Sequence, residues 1–277
     1  MIWVNGTLST EDDAALSVLD HGLTVGDGVF ETVKAENGEL FALTRHLDRL
    51  TRSARGLGLP DPDHDRVREA CTAVLAAKPL PLGRLRITYT GGLAPLGSER
   101  GDSDPTLVVA LGSATRRPDT TAVITVPWRR NEHSAVTGLK TTSYAENVIA
   151  LAAAHRAGAS EALFANTAGR LCEGTGSNVF LVLDGRLVTP TLESGCLAGI
   201  TRQLVIDWTG AEEIDVPLEA LADAEEVFLT STLRDVQAVT RIDARTLPAG
   251  PVTRKAMEVF AEHAARDSDP VQEARGR

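Results

Sequence analysis

"GLKTTSYAENVIALAAAHRAGASEALF", residues 138–164, contains the lysine around which the rest of the chain can be read. Its third residue is Lys140. The sequence has 28 lysines and arginines, yet only four are lysines: Lys34, Lys78, Lys140 and Lys255. Arginine carries nearly every other positive charge, so a lysine at a loop end, just before an apolar-periodic segment, needs a reason. Arginine stays protonated and forms no imine, whereas a lysine amine can be deprotonated by its surroundings. Thr141, Thr142, Ser143 and Tyr144 follow it and offer hydroxyls for a polar ligand.

Outward from this point the chain alternates strands and helices without strict βαβ order. Residues 2–8 read as a strand. Val29–Ala35 and Glu39–Leu43 read as a hairpin through "ENGE", an Asn-Gly turn. Leu47, Leu50, Ala54 and Leu57 recur at helical spacing, and a second helix is expected from Asp63 to about Ala77. "RLRITYT" and "TLVVALG" read as strands around a loop from Gly91 to Asp104. On the helix after Lys140, Val148, Leu151, Ala152 and His155 mark the expected inward face. "EALFAN", "NVFLVLDG", "RLVTP" and "EEVFLTST" read as strands, with helices at Thr201–Trp208 and Val252–Ala265. The polar tail "RDSDPVQEARGR" is expected to fray. This pattern predicts an α+β chain with a small domain over 1–112, a linker over 113–120 and a larger domain over 121–277 carrying Lys140.

Composition narrows the function. The chain has 277 residues and a net charge of −10, which is not the basic footprint of a nucleic-acid binder. No run approaches membrane-spanning length, and the opening "MIWVNG" has no basic or apolar leader pattern. Cys71, Cys172 and Cys196 lack metal spacing; they read as small buried residues in a cytoplasmic protein. No HExxH pair, zinc-type cysteine pair, G-x-S-x-G elbow or complete P-loop is present, so no metal is expected.

The stretch from Leu139 to Arg202, with "DHGLTVGDGVFETVKAENGELFALTRHLDRL" before it and "EEVFLTSTLRDV" after it, resembles the class-IV aminotransferases. These are the fold-type IV pyridoxal-phosphate enzymes. The resemblance covers most of the chain to about residue 260. It implies two α/β lobes with the site between them, a pyridoxal 5'-phosphate cofactor, and a homodimer using an amino donor and a 2-oxo acid acceptor. It makes Lys140 the lysine that carries the cofactor as a Schiff base and moves protons. Glu173 in "CEGTGSN" becomes the carboxylate for the pyridine nitrogen, and Arg49 in "HLDRL" the arginine for the phosphate. Arg45 and Arg52, on the same helix, are read as solvated. Ile200 and Thr201 in "GIT" open a helix and offer backbone N–H groups to the phosphate, with Thr232 and Ser231 of "TST" completing that cup. Tyr144 matches a tyrosine at the cofactor's phenolic oxygen, and Leu197 an apolar residue against the ring.

The same resemblance leaves the substrate open. D-amino-acid members carry "TRG" and then a histidine on the strand that here reads "RITYTGGLAPLG"; Gly91 stands at the arginine position and no histidine follows. Substitute cations for a substrate carboxylate are Arg86, Arg100, Arg129, Arg130 and Arg234, and Phe30 offers an apolar wall. The leading expectation is a transaminase of D-amino acids, extending to (R)-primary amines. The alternatives are 4-amino-4-deoxychorismate lyase and a branched-chain L-aminotransferase.

Overall fold

The computed structural model describes residues 1–270. They form two compact units, each with its own sheet. The first unit comprises Met1–Arg116, the short segment Leu139–Ser143 and the stretch that begins at Asp267. Its elements are β1 (Ile2–Val4), β2 (Thr7–Ser9), α1 (His21–Thr24), β3 (Gly28–Glu36), β4 (Glu39–Leu40), α2 (Leu43–Leu57), α3 (His64–Ala77), β5 (Leu82–Thr90) and β6 (Thr106–Ser113). The sheet runs β2-β1-β6-β5-β3-β4. The single strand expected over 2–8 is a hairpin instead. Asn5 (φ 46°) and Gly6 (φ 104°) both turn left-handed, as a tight two-residue turn requires.

"ENGE" does make a hairpin, but its return strand ends at Leu40. Ala42 adopts φ 56°, and Leu43 opens α2 rather than closing a strand. Alanine has no side-chain acceptor for the helix's first N–H groups. The tail supplies one: Asp269 accepts from the Thr44 N–H at 2.8 Å and the Thr44 hydroxyl at 2.6 Å. Arg45 Nε donates to the Pro270 carbonyl at 2.7 Å, so Arg45 ties down the tail rather than facing only water. The start of the tail is therefore held as a cap; residues 271–277 lie outside the described residues.

Leu43, Leu47, Leu50 and Ala54 place one stripe of α2 in a core with Val29, Val33, Val67, Val74, Leu85 and Ile87. Strand alternation then divides β3. Val29, Glu31, Val33 and Ala35 share one face, while Phe30, Thr32 and Lys34 share the other, where Arg86 and Arg84 of β5 lie opposite Thr32 and Lys34.

The second unit comprises Arg117–Gly138 and Tyr144–Arg266. Its elements are β7 (Thr120–Arg130), α4 (Ala145–Arg156), β8 (Glu161–Asn166), β9 (Leu171–Gly174), β10 (Asn178–Leu183), β11 (Arg186–Thr189), α5 (Ile200–Thr209), β12 (Glu212–Glu213), β13 (Glu226–Ser231), β14 (Asp235–Ile242), β15 (Arg245–Thr246) and α6 (Pro251–Arg266). The sheet runs β12-β11-β10-β13-β14-β7-β8-β9, with β15 on β14. Strands β8, β10 and β13 are buried almost end to end, which is why they read as continuous apolar runs.

The inward face of α4 differs from the expected one. Asn147, Ala150 and Ala154 are buried, whereas Val148 is 63 % exposed. A buried polar residue explains the misreading: Asn147 donates its amide to the Thr175 carbonyl and accepts from Arg130, so it belongs inside. Cys71, Cys172 and Cys196 are all buried free thiols, as expected.

Candidate active site

In the first unit, Lys140 is positioned by its backbone. At the start of β3 the edge away from β5 is open, because β4 pairs only with Ala35 and Glu36. Lys140–Thr142 fills that edge. Val29 bridges Thr141, the Lys140 carbonyl accepts from Phe30 N–H at 2.9 Å, and Thr142 N–H donates to the Gly28 carbonyl at 2.8 Å. On the other side, the Lys140 N–H donates to Ser53 Oγ of α2 at 3.1 Å. Two backbone–backbone bonds and one to a side-chain hydroxyl thus fix the segment. Its side chain lies on the Phe30 face of the sheet, with Nζ 4.4 Å from the Phe30 ring centroid. The Arg86 guanidinium meets the same ring at 3.6 Å. A cation against an aromatic ring is held in place without losing its capacity to meet an anion.

Arg49 is placed by α2, one turn before Ser53 on the same helix face. It grips Glu31 of β3 through Nε and Nη2, both at 2.7 Å, and His46 Nδ1 meets the same carboxylate at 2.7 Å. All three are nearly inaccessible to solvent. Burial alone would raise the Glu31 carboxyl, but the Arg49 charge and the hydrogen bonds from Arg49 and His46 outweigh it and hold Glu31 far below the usual range. Burial pushes His46 below its ordinary value, which fits a neutral ring donating Nδ1–H to Glu31. Glu31 and His46 were not picked out in the sequence, although both sit inside quoted motifs.

In the second unit, Glu173 Oε2 accepts from the Leu197 N–H at 2.9 Å, which joins two of the expected residues. Asn178 donates to the Leu197 carbonyl at 2.9 Å. A Cβ at Gly199 would come 2.0 Å from Asn178 Oδ1, so a larger residue in the turn into α5 would displace the Asn178 side chain. Ile200 and Thr201 open α5 without a side-chain cap, which leaves early N–H groups for an anion. Ser231 ends β13, and Thr232 follows in the turn to β14. Tyr144 occupies the N-cap position of α4. Glu161, buried, accepts from the Thr175 N–H and from the Thr175 and Ser177 hydroxyls, shaping the loop beyond Glu173.

Two expected substrate cations have structural duties. Arg234 bonds the Ser160 hydroxyl and carbonyl and Gln237. Arg100 pairs with both oxygens of Asp27, at 2.6 and 2.7 Å, and donates to the Leu57 and Gly58 carbonyls at 2.6 and 2.7 Å. Asp27 also meets His21 Nδ1 at 2.8 Å, while His21 Nε2 lies 3.0 Å from the Gly97 carbonyl. This cluster ties the β5–β6 loop down. It also fills the space beside Gly91, where a Cβ would stand 2.6 Å from Asp27 Oδ2. Among the described residues no group of acids, histidines or cysteines is arranged to hold a metal. No described helix is long and apolar enough to cross a membrane.

The two-sheet architecture is that of a fold-type IV enzyme. A family model described as amino-transferase class IV matches residues 28–242, and the chain belongs to that pyridoxal-phosphate-dependent family. A Methanocaldococcus jannaschii protein, whose name assigns it provisionally to branched-chain-amino-acid transamination, is 34% identical over 94% of this chain and 95% of its own. The D-alanine aminotransferase of Staphylococcus haemolyticus is 30% identical over 95% of this chain and 97% of its own. The branched-chain aminotransferase of Thermoproteus uzoniensis, crystallised with norvaline, superposes with a TM-score of 0.88 at 29% identity, covering 94% of this chain and 93% of that one. Each unit taken by itself offers groups that fit pyridoxal phosphate: a lysine amine in the first, and in the second a mostly buried carboxylate and an uncapped helix start behind Gly199.

The His21 cluster carries a pH signature. Both ring nitrogens face acceptors, so the charged ring fits best, and the bond to Asp27 raises His21 above its ordinary value of 6.5. Asp27 is lowered, first by its bond to Arg100. A raised histidine stabilises the fold fully below its unfolded value and ceases to do so as pH rises through the folded value. Amide protection in residues 93–104, taken as the exchange rate relative to the intrinsic base-catalysed rate, is therefore expected to fall through that window in the native chain. In His21→Asn it is expected to be low at every pH; native protection that does not change with pH would contradict the assignment.

Proposed function

We propose that this aminotransferase moves the amino group between an aliphatic L-amino acid, of the branched-chain kind, and a 2-oxo acid. The observation that carries the reading is the Phe30 ring with Lys140 and Arg86 both against it. An apolar wall and a guanidinium beside the reacting amine suit a substrate with an aliphatic side chain and a carboxylate. The bound cofactor supplies an aldehyde to take the amino group and a ring to accept electrons from the substrate carbon. Lys140 is the amine that holds it covalently and then moves a proton at Nζ. Glu173 is the carboxylate for the ring nitrogen. Arg49, Ile200, Thr201, Ser231 and Thr232 are the phosphate donors, with Tyr144 at the phenolic oxygen and Leu197 against the ring.

The relative at 34% identity and the norvaline-bound structure favour this over the D-amino-acid expectation. So does Gly91, which stands at the position of the arginine typical of D-amino-acid members, with Asp27 Oδ2 lying 2.6 Å from where its Cβ would be. The D-alanine aminotransferases at about the same similarity make D-alanine the second reading. The test mixes the holoenzyme with L-leucine, D-alanine, (R)-1-phenylethylamine or aminodeoxychorismate and follows the cofactor band. L-leucine is expected to convert the cofactor to its amine form, and Arg86→Leu to raise the KM for L-leucine about 10–100-fold. Conversion by D-alanine alone, or pyruvate released from aminodeoxychorismate without an acceptor, would overturn the reading.

The working form we propose is a homodimer. Val18 is 75 % exposed, Leu23 62 % and Leu96 79 %, and an Asp20–Leu93 bridge brings their two segments together. An apolar patch of this kind marks an interaction surface. Sedimentation is expected to give the mass of two chains, and of one chain for Leu23→Asp with Leu96→Asp; a native chain that sediments as a monomer refutes it.

A further inference from the structure

We propose that Arg130 is a positioning residue for Glu173: it keeps that carboxylate ionised and aimed, and so governs how firmly the ring nitrogen holds its proton. This rests on the role proposed above for Glu173. The sheet order β7-β8-β9 puts Arg130 and Glu173 two strands apart, with Phe164 of β8 directly opposite Glu173. Arg130 lies opposite Asn166, which shares a face with Phe164, so all three side chains are on one side of the sheet. The guanidinium lies 4.2 Å from the Phe164 ring centroid and spans that strand. Nε then reaches 3.4 Å from Glu173 Oε1. It is buried and makes no hydrogen bond among the described residues, so its contact with Glu173 is an ion pair. The other oxygen of Glu173 is the one that the Leu197 amide holds.

The far end of the guanidinium is anchored separately. Nη1 donates to Glu146 at 2.6 Å and to Asn147 at 3.0 Å, and Asn147 in turn bonds the carbonyl of Thr175, two residues past Glu173. Arg130 and Glu173 keep only 16 % and 14 % of their side chains in contact with water, so their attraction is weakly screened. The neighbouring Cys172 and Cys196 thiols are pushed up by burial, Cys196 to about 11, so both stay neutral near pH 7. Glu146 is the opposing anion on α4, and it faces Nη1 rather than Glu173. A neighbouring cation favours the ionised carboxylate; without it the carboxyl takes up a proton at higher pH.

The experiment titrates the absorbance of the bound cofactor from acid to neutral pH in the native holoenzyme, Arg130→Gln, Arg130→Lys, Glu146→Gln and Glu173→Gln. Cofactor Kd by reconstitution and melting temperature are measured alongside. Arg130→Gln is expected to keep the cofactor and to move the acid transition up by about one pH unit or more. Its kcat falls about 10–100-fold while KM holds within about 3-fold, the pattern of a lost transition-state contact. Arg130→Lys is expected to recover most of the native titration, and Glu146→Gln to match it. A native titration in Arg130→Gln overturns the proposal. So does a Glu146→Gln variant that reproduces the shift, because the role would then be the tie to α4. Should Arg130→Gln not fold, Arg130→Lys decides: a small shift of the same sign supports the proposal and none overturns it. If Glu173→Gln itself leaves titration and kcat native, the role of Glu173 falls instead, and the two failures are thereby told apart.

Discussion

The role proposed for Lys140 depends on three hydrogen bonds made by the backbone of residues 140–142. A flexible amine on a four-carbon stem is a poor tool unless its Cα is held. Here Phe30 and Ser53 clamp the Lys140 carbonyl and N–H, and Thr142 closes the pairing on Gly28. The partner edge exists only because β4 is two residues long and leaves the start of β3 uncovered. A short return strand, unremarkable in itself, thus makes room for the segment that carries the chemistry.

A second constraint is the charge buried behind β3. Glu31 faces the helices and the apolar core, where an unpaired carboxylate costs several kcal/mol, about 3–5 when a partner is removed. Arg49 and His46 are its partners, spaced one turn apart on α2. The pairing holds the Arg49 side chain in a set conformation within a helix that the tail residue Asp269 caps. In the second unit the same logic recurs with Glu161 and Glu173: each carboxylate is held by backbone N–H groups and by side chains from neighbouring elements. Preset charges of this sort need no rearrangement when a charged ligand arrives.

The family, the two-sheet fold and the main helices were legible because they rest on periodicity and on several motifs in one order. What escaped the sequence was mostly polar and buried. The inward face of α4 was misread because Asn147, which looks like a surface residue, is turned inside by Thr175 and Arg130. The hairpin at Asn5-Gly6 was missed because its strands are three residues each, too short to alternate visibly. Arg100 and Arg234 read as substrate cations because spacing does not reveal partners; Asp27 lies 73 positions from Arg100 and Ser160 lies 74 from Arg234. Gly91 was noted only as a missing arginine. In the structure the Asp27 carboxylate crowds that position, 2.6 Å from where a Cβ would stand.

The central claim is that Lys140 alone among the four lysines carries the cofactor. Borohydride reduction of the holoenzyme, followed by proteolysis and mass spectrometry, tests it most directly. The reduced cofactor is predicted on the peptide containing Lys140 and on none containing Lys34, Lys78 or Lys255. Cofactor fixed to any of those three, or a Lys140→Ala protein that is still labelled stoichiometrically, would contradict the account.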